Sequence, residues 1–162
     1  MWLRISKIVL VALTALYATL VAFNNITDYG SNFQFVRHVM SMDTTFPDNT
    51  AMWRAVTSPV LHHAAYGLII AVEIVTAILA WLGAFMLWNS RQDAGQFNDH
   101  KRLAGLALIL GICLWFGGFI VIGGEWFLMW QSDAWNGVQA AFRITLFYAV
   151  TFGILIVKDR DQ

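Results

Sequence analysis

Four stretches of this chain, each about 20 residues or longer and nearly free of charge, constrain everything it can fold into. They run from about Ile5 to Phe23, Leu61 to Trp88, Leu103 to Gly123 and Val138 to Val157. A helix rising about 1.5 Å per residue needs roughly 20 apolar residues to cross the hydrocarbon core of a bilayer. Lipid offers the backbone no hydrogen-bond partners, so spans of this kind close their bonds internally as helices. Composition points the same way: 12% of residues are charged, against about 25% in a soluble domain, too few to cover a water-facing globule. The expected fold is all-α, a four-helix transmembrane bundle forming one membrane domain over residues 1–162, with a structured periplasmic cap between the first two helices, at about residues 24–58.

Basic residues orient the bundle. Arg4, Lys7, Arg91, Lys101, Arg102, Lys158 and Arg160 fall on one side, seven of ten, which places both termini in the cytoplasm by the positive-inside rule. Arg4 and Lys7 before an apolar run also suit a signal peptide, but the run continues to Phe23 without an A-x-A site, so a retained span is expected. Trp2 and Trp88 mark the inner interface, and Trp126, Trp130 and Trp135 the outer one. Ser58-Pro59 reads as an N-cap followed by proline at the first helical position. Asn98 or Asp99 is expected to cap the third span, and Ser132 or Asp133 the fourth. Within the cap, short helices are expected at Phe33 to Met42 and Ala51 to Val56, folded back on the bundle by Phe33, Phe35, Val36, Phe46 and Trp53.

The cap is also the most distinctive text in the chain: Asn24-Asn25-Ile26-Thr27-Asp28-Tyr29, Ser31-Asn32-Phe33, Phe35-Val36-Arg37-His38-Val39, Ser41-Met42-Asp43-Thr44-Thr45-Phe46-Pro47, Met52-Trp53-Arg54-Ala55 and His62-His63-Ala64-Ala65-Tyr66. Together these runs resemble a family of predicted small integral membrane proteins of proteobacteria, a domain of unknown function. The resemblance covers essentially the whole chain. It implies the bacterial inner membrane and a stand-alone four-span unit, and it brings no activity with it.

Ionisable residues inside spans are the sharpest chemical signal, since a charge at mid-bilayer costs about 2.5–3.5 kcal/mol even on a lenient scale. Glu73 in the second span and Arg143 in the fourth each lie six residues, about 9 Å, below the outer boundary, with Glu125 above them. They are expected to meet as a structural intramembrane pair fixing helix neighbours; a proton- or anion-handling role is the alternative. At 100° per residue, His62, Tyr66 and Glu73 share a stripe of the second span that continues through Ala77, Ala80 and Ala84. That face is expected to point into the bundle, its small part meeting Ala107 and Gly111 of the third span.

His38, His62 and His63 are the candidate cofactor ligands. His62 and His63 are adjacent on one helix and cannot clamp one iron from opposite sides, so bis-histidine haem b needs His38 with one of them; hydrogen bonds to loop carbonyls are the expected role. The Trp126, Met129, Trp130, Trp135 cluster suits a quinone ring or, preferably, an interfacial belt. Cys113, in an apolar run, is expected to be an inert core residue. No cofactor or metal is expected. With no phosphate loop, nucleophile elbow or paired carboxylate, the chain is expected not to be an enzyme. Neutral net charge and the lack of a basic tract exclude a nucleic-acid partner. What remains is an accessory or structural subunit associating with lipid, with itself or with a larger membrane complex; a haem- or quinone-binding redox subunit and translocation through an oligomer are the alternatives.

Overall fold

The computed structural model describes residues 1–160. Five helices make the fold: α1 (Trp2–Thr27), α2 (Tyr29–Ser41), α3 (Pro59–Asn89), α4 (Ala94–Trp126) and α5 (Val138–Ile156), with no strand among the described residues. All but α2 are long and apolar enough to cross a membrane. The termini and the α3–α4 turn therefore share one face, the terminal side, and α2 and the α4–α5 loop share the other, the cap side.

The bundle is inverted relative to a water-soluble protein. Large apolar side chains point outward, as at Phe147, 73% exposed, and Leu68, 66%. Small residues line the helix contacts, Ala15, Ala80, Ala104, Ala107 and Ala141 being fully buried, while Leu87, Phe97, Leu108 and Leu155 fill the core beside them. Apolar burial gives little driving force between helices already in lipid, so close van der Waals approach must hold them together, and small residues allow it. Ala15, Ala80 and Ala107 form one cluster joining α1, α3 and α4. Gly83 of α3 lies against Ala104 of α4, where an added Cβ would meet backbone at 2.7–2.8 Å. The expected stripe of α3 is buried from His62 and Tyr66 through Glu73 to Ala77, Ala80 and Ala84. Of its expected partners, Ala107 takes part, whereas Gly111 makes room for the Tyr148 ring of α5.

Two N-caps differ from expectation. Helix α4 starts a full turn early, where Asp93 Oδ1 accepts from Gln96 N at 2.8 Å, because Asn98 is used elsewhere. It pairs amide-fashion with the Asp159 backbone, donating to its carbonyl at 2.9 Å and accepting from its N–H at 3.0 Å. Helix α5 starts after Gly137, since Ser132 instead accepts from Trp135 N and bonds Thr44. Ser58-Pro59 does open α3, although the serine hydroxyl makes no capping bond.

Helix α4 changes character midway: Ala94–Ile112 is α-helical and Cys113–Trp126 is a π-helix. The closing bond, Phe127 N to Ile122 O at 3.0 Å, spans five residues. Such winding is rare and is mostly confined to single turns; here it coincides with Gly117-Gly118 and Gly123-Gly124, where side chains offer the α-helix least support. The π segment packs on α5 rather than α3, so α3 and α4 are close on the terminal side and diverge toward the cap.

Buried charge closes the terminal side. Lys7 of α1 and Lys101 of α4 both reach Asp159, at 2.7 and 2.6 Å, and both donate to the Val157 carbonyl just past α5. Arg4 donates to the carbonyls of Arg91 and Arg160, each at 3.0 Å. The cations thus satisfy carbonyls that a helix C-terminus leaves unpaired. Burial pushes the Asp159 carboxyl up, but hydrogen bonds and charge from Lys101 and Lys7 outweigh it and hold it below the usual aspartate range.

Two outcomes follow. Gly83→Ala should destabilise the protein in detergent by about 1–3 kcal/mol, the usual overpacking cost, whereas Gly67→Ala, with open space around it, should be neutral or stabilising; thermal melts of the two variants check this. Because the Asp159 pKa is depressed, its contribution is complete above the ordinary aspartate range, about pH 4, and is lost as pH falls through the lowered value. Asp159→Asn should therefore cost about 3–5 kcal/mol near neutrality, as loss of one member of a buried pair does, and the gap to wild type should close in acid.

Candidate functional site: a buried carboxyl and a lateral groove

Glu73 is 3% exposed, and its partner comes from α1. Asn25 Nδ2 donates to Oε2 at 2.7 Å. The Tyr66 hydroxyl, two turns toward the cap on α3, donates to the Asn25 backbone carbonyl at 3.0 Å and to its Oδ1 at 3.2 Å. Among the described residues Glu73 Oε1 has no hydrogen-bond partner, nor does Thr76 Oγ1 one turn below; both atoms are buried. They border a void of about 10 Å³ lined also by Tyr17, Trp115 and Tyr148.

The expected Glu73–Arg143 pair does not form. Arg143 is exposed, and among the described residues the ion pairs are those of Asp159 with Lys7 and Lys101 and of His38 with Asp43. Ala141, Tyr148, Thr151 and Leu155 define the buried face of α5, and Arg143 lies about 200° around the helix from Ala141. Depth matched the two charges; azimuth separates them. Glu125 is likewise exposed at the cap end of α4. Asn25 was the overlooked partner, yet its signal was present: Val11, Ala15, Ala18 and Ala22 make the buried seam of α1, and the next residue on that seam is Asn25.

The histidines are held by protein groups. His62, 3% exposed, bonds the Val56 carbonyl through Nε2 at 2.7 Å, the expected loop-carbonyl role. His63 Nδ1 meets the Tyr29 hydroxyl at 2.8 Å, its ring stacked on Phe33 with centroids 4.1 Å apart. His38 pairs with Asp43 and stacks on Trp135 at 4.7 Å. Among the described residues no three His, Cys, Asp or Glu side chains gather as a metal site. The cap engages the aromatic cluster from above. Trp126 meets Trp53 edge-on with Arg54 against both rings, and Trp130 meets Phe46. Val39 and Met42 are buried with Phe127 and Met129 beneath.

Where α3 and α4 diverge, a groove of about 670 Å³ opens sideways under α2. Leu68, Ile69 and Val72 of α3 form one wall, and the π segment from Cys113 to Gly123 forms the other. Phe35, Val36, Val39 and Met40 roof it. None of its lining side chains is an acid, base or hydroxyl. Cys113 is exposed here and is not the core residue expected of it. Cys113, Gly118 and Gly123 all line the groove, and the two glycines keep that wall low.

Residues 3–158 match the model of a family described as predicted small integral membrane protein, DUF2165. The chain belongs to this family. No curated protein and no solved structure matches it at a significant level. For this family member, then, the membrane setting stands on both the four apolar helices and the family description, and the site must be read from its own geometry.

That geometry fixes the outcome of a double-mutant cycle. Asn25→Leu and Glu73→Gln should couple by more than about 0.5 kcal/mol, the limit of additivity for independent sites. Arg143→Met should add to Glu73→Gln within that limit. Thermal unfolding in detergent reads both, and the reverse pattern would contradict the contacts described.

Proposed function

We propose that this protein is a non-catalytic accessory subunit of the bacterial inner membrane, with both termini cytoplasmic, that holds an apolar chain in its cap-side groove and associates with itself or a larger membrane complex. One observation carries the reading: the groove lies between two spans and has walls without polar side chains. Its volume falls in the range of about 300–1,000 Å³ typical of small-molecule sites. An acyl or isoprenoid chain matches that lining, and sideways opening lets it enter from the bilayer rather than from water. A polar substrate would find no partner on these walls. The ordered cap supports the association half of the proposal, because it offers a surface shaped by Trp53, Trp126 and Trp130, each 47% exposed or more, and aromatic anchors of this kind dominate many interfaces. The excess of basic residues on the terminal side supports the orientation.

The test is extraction from native membrane in mild detergent, followed by mass spectrometry of bound lipid and of co-purifying protein. One class of chain should be enriched at least about tenfold over bulk membrane, a preference of 1.4 kcal/mol. Ala65→Phe with Gly118→Phe, which fills the groove, should abolish the enrichment. A bound-lipid profile identical to bulk, unchanged by the filling variant, would remove the groove as the basis of function.

A further inference from the structure

The small void beside Glu73 belongs to neither the groove nor the cap interface, and its lining is of another kind. Two buried polar atoms border it without partners, Glu73 Oε1 and Thr76 Oγ1. Its volume, about 10 Å³, is close to the least that admits one water. The groups facing the carboxyl come from every span. They are Asn25 and Tyr17 from α1, Tyr66 and Thr76 from α3, Trp115 from α4 and Tyr148 from α5. All are neutral, and among the described residues Glu73 has no cation within ion-pair distance.

We propose that Glu73 is a proton-binding site, carried as the neutral acid with one water bridging Oε1 and Thr76 Oγ1, and that its proton exchanges only with the cap side. The protonation state follows from partners. A carboxylate at this depth would hold its charge on a single hydrogen bond, from Asn25, with one oxygen bare; burying a charge so poorly compensated is unfavourable, and neutralisation by a proton relieves it. The neutral acid uses both oxygens: Oε2 accepts from Asn25, and the Oε1 hydroxyl donates to water, which in turn reaches Thr76. Nothing is oxidised or reduced; a proton arrives from water and returns to it.

Sidedness follows from what packs above and below. Toward the cap, polar groups continue outward: Asn25 to Tyr66, Tyr66 against Tyr29 with rings 4.7 Å apart, and Tyr29 to His63, which is exposed. Asn25, three residues from the end of α1, is itself half-buried. Toward the terminal side, the same face of α3 becomes the buried Ala77, Ala80 and Ala84, with Ala80 packed on Ala15 and Ala107 and Ala84 in one cluster with Ala104. Toward the cap the polar groups lead out to an exposed histidine, whereas toward the terminal side the hydroxyls of Thr14, Tyr148 and Thr151 are buried and the α3 face meets packed methyls.

Glu73 and Glu125 are the only glutamates of the chain, which makes the experiment selective. Full-length protein carrying glutamate labelled with ¹³C at the side-chain carboxyl is reconstituted in liposomes and followed by infrared spectroscopy. At neutral pH the labelled carbonyl stretch of a protonated acid should be present, should survive Glu125→Gln and should vanish in Glu73→Gln. In vesicles sorted by orientation, alkalinising the cap side should convert that band to carboxylate, and alkalinising the terminal side with the cap side clamped should not. Labelled intensity found only as carboxylate at neutral pH overturns the site, and conversion driven from the terminal side overturns its sidedness. Should Glu73→Gln fail to fold, wild type and Glu125→Gln together still decide the assignment.

Discussion

Helices already dissolved in lipid gain little from burying more apolar surface, so the bundle depends on how closely their backbones can approach. The seam at Gly83–Ala104 and at Ala15–Ala80–Ala107 provides that approach on the terminal side. Everything else in the architecture is arranged around it. Because α1, α3 and α4 are drawn together there, the buried lysines above the α5 terminus converge on one carboxylate, Asp159. Because Gly111 gives its place to the Tyr148 ring, α4 leans toward α5 beyond that point and away from α3. The groove is the geometric remainder of these two contacts.

The two ends of the bundle treat polarity in opposite ways. On the terminal side, most polar demand is met: carbonyls past α5 meet Lys7, Lys101 and Asn98, and Arg4 links the α3–α4 turn to the C-terminal segment, while His100 Nδ1 stays buried without a partner among the described residues. A closed set of buried hydrogen bonds of this kind rigidifies and specifies one arrangement. On the cap side, Glu73 and Thr76 retain atoms without protein partners. Unmet polar capacity inside a membrane protein is costly to maintain and is concentrated at working sites.

Much of this was legible in the residues themselves. Span number, the inward stripe of α3 from His62 to Ala84 and the ordered cap are set by hydrophobic length, helical period and the aromatic content of residues 24–58, all local properties. The misreadings share one cause, that a charge has a depth in sequence but a direction only in the folded bundle. Arg143 matched Glu73 in depth and faced away from it. Lys7 and Lys101 read as topology markers and proved also to be buried ligands of Asp159. Asn98 read as an N-cap and proved to clasp the C-terminal segment. In each case the true partner lies at least 48 residues away, where no local pattern reaches. The π winding of Cys113–Trp126 is of the same kind: paired glycines permit it, but packing on α5 selects it.

The cap links two features of the bundle. Without α2 and its aromatic contacts, the divergence of α3 from the π segment would be an open cleft between two spans, free to close by tilting one helix onto the other. Val36 and Val39 roof the groove, while Met42 packs with Phe127 and Met129, and Arg54 between Trp53 and Trp126 ties the far end of the cap to α4. The cap thus braces the helices apart at a fixed separation and at the same time carries Tyr29, which meets both His63 and Tyr66 above the buried carboxyl. One segment between α1 and α3 therefore both roofs the apolar groove and carries Tyr29 over the polar groups above Glu73.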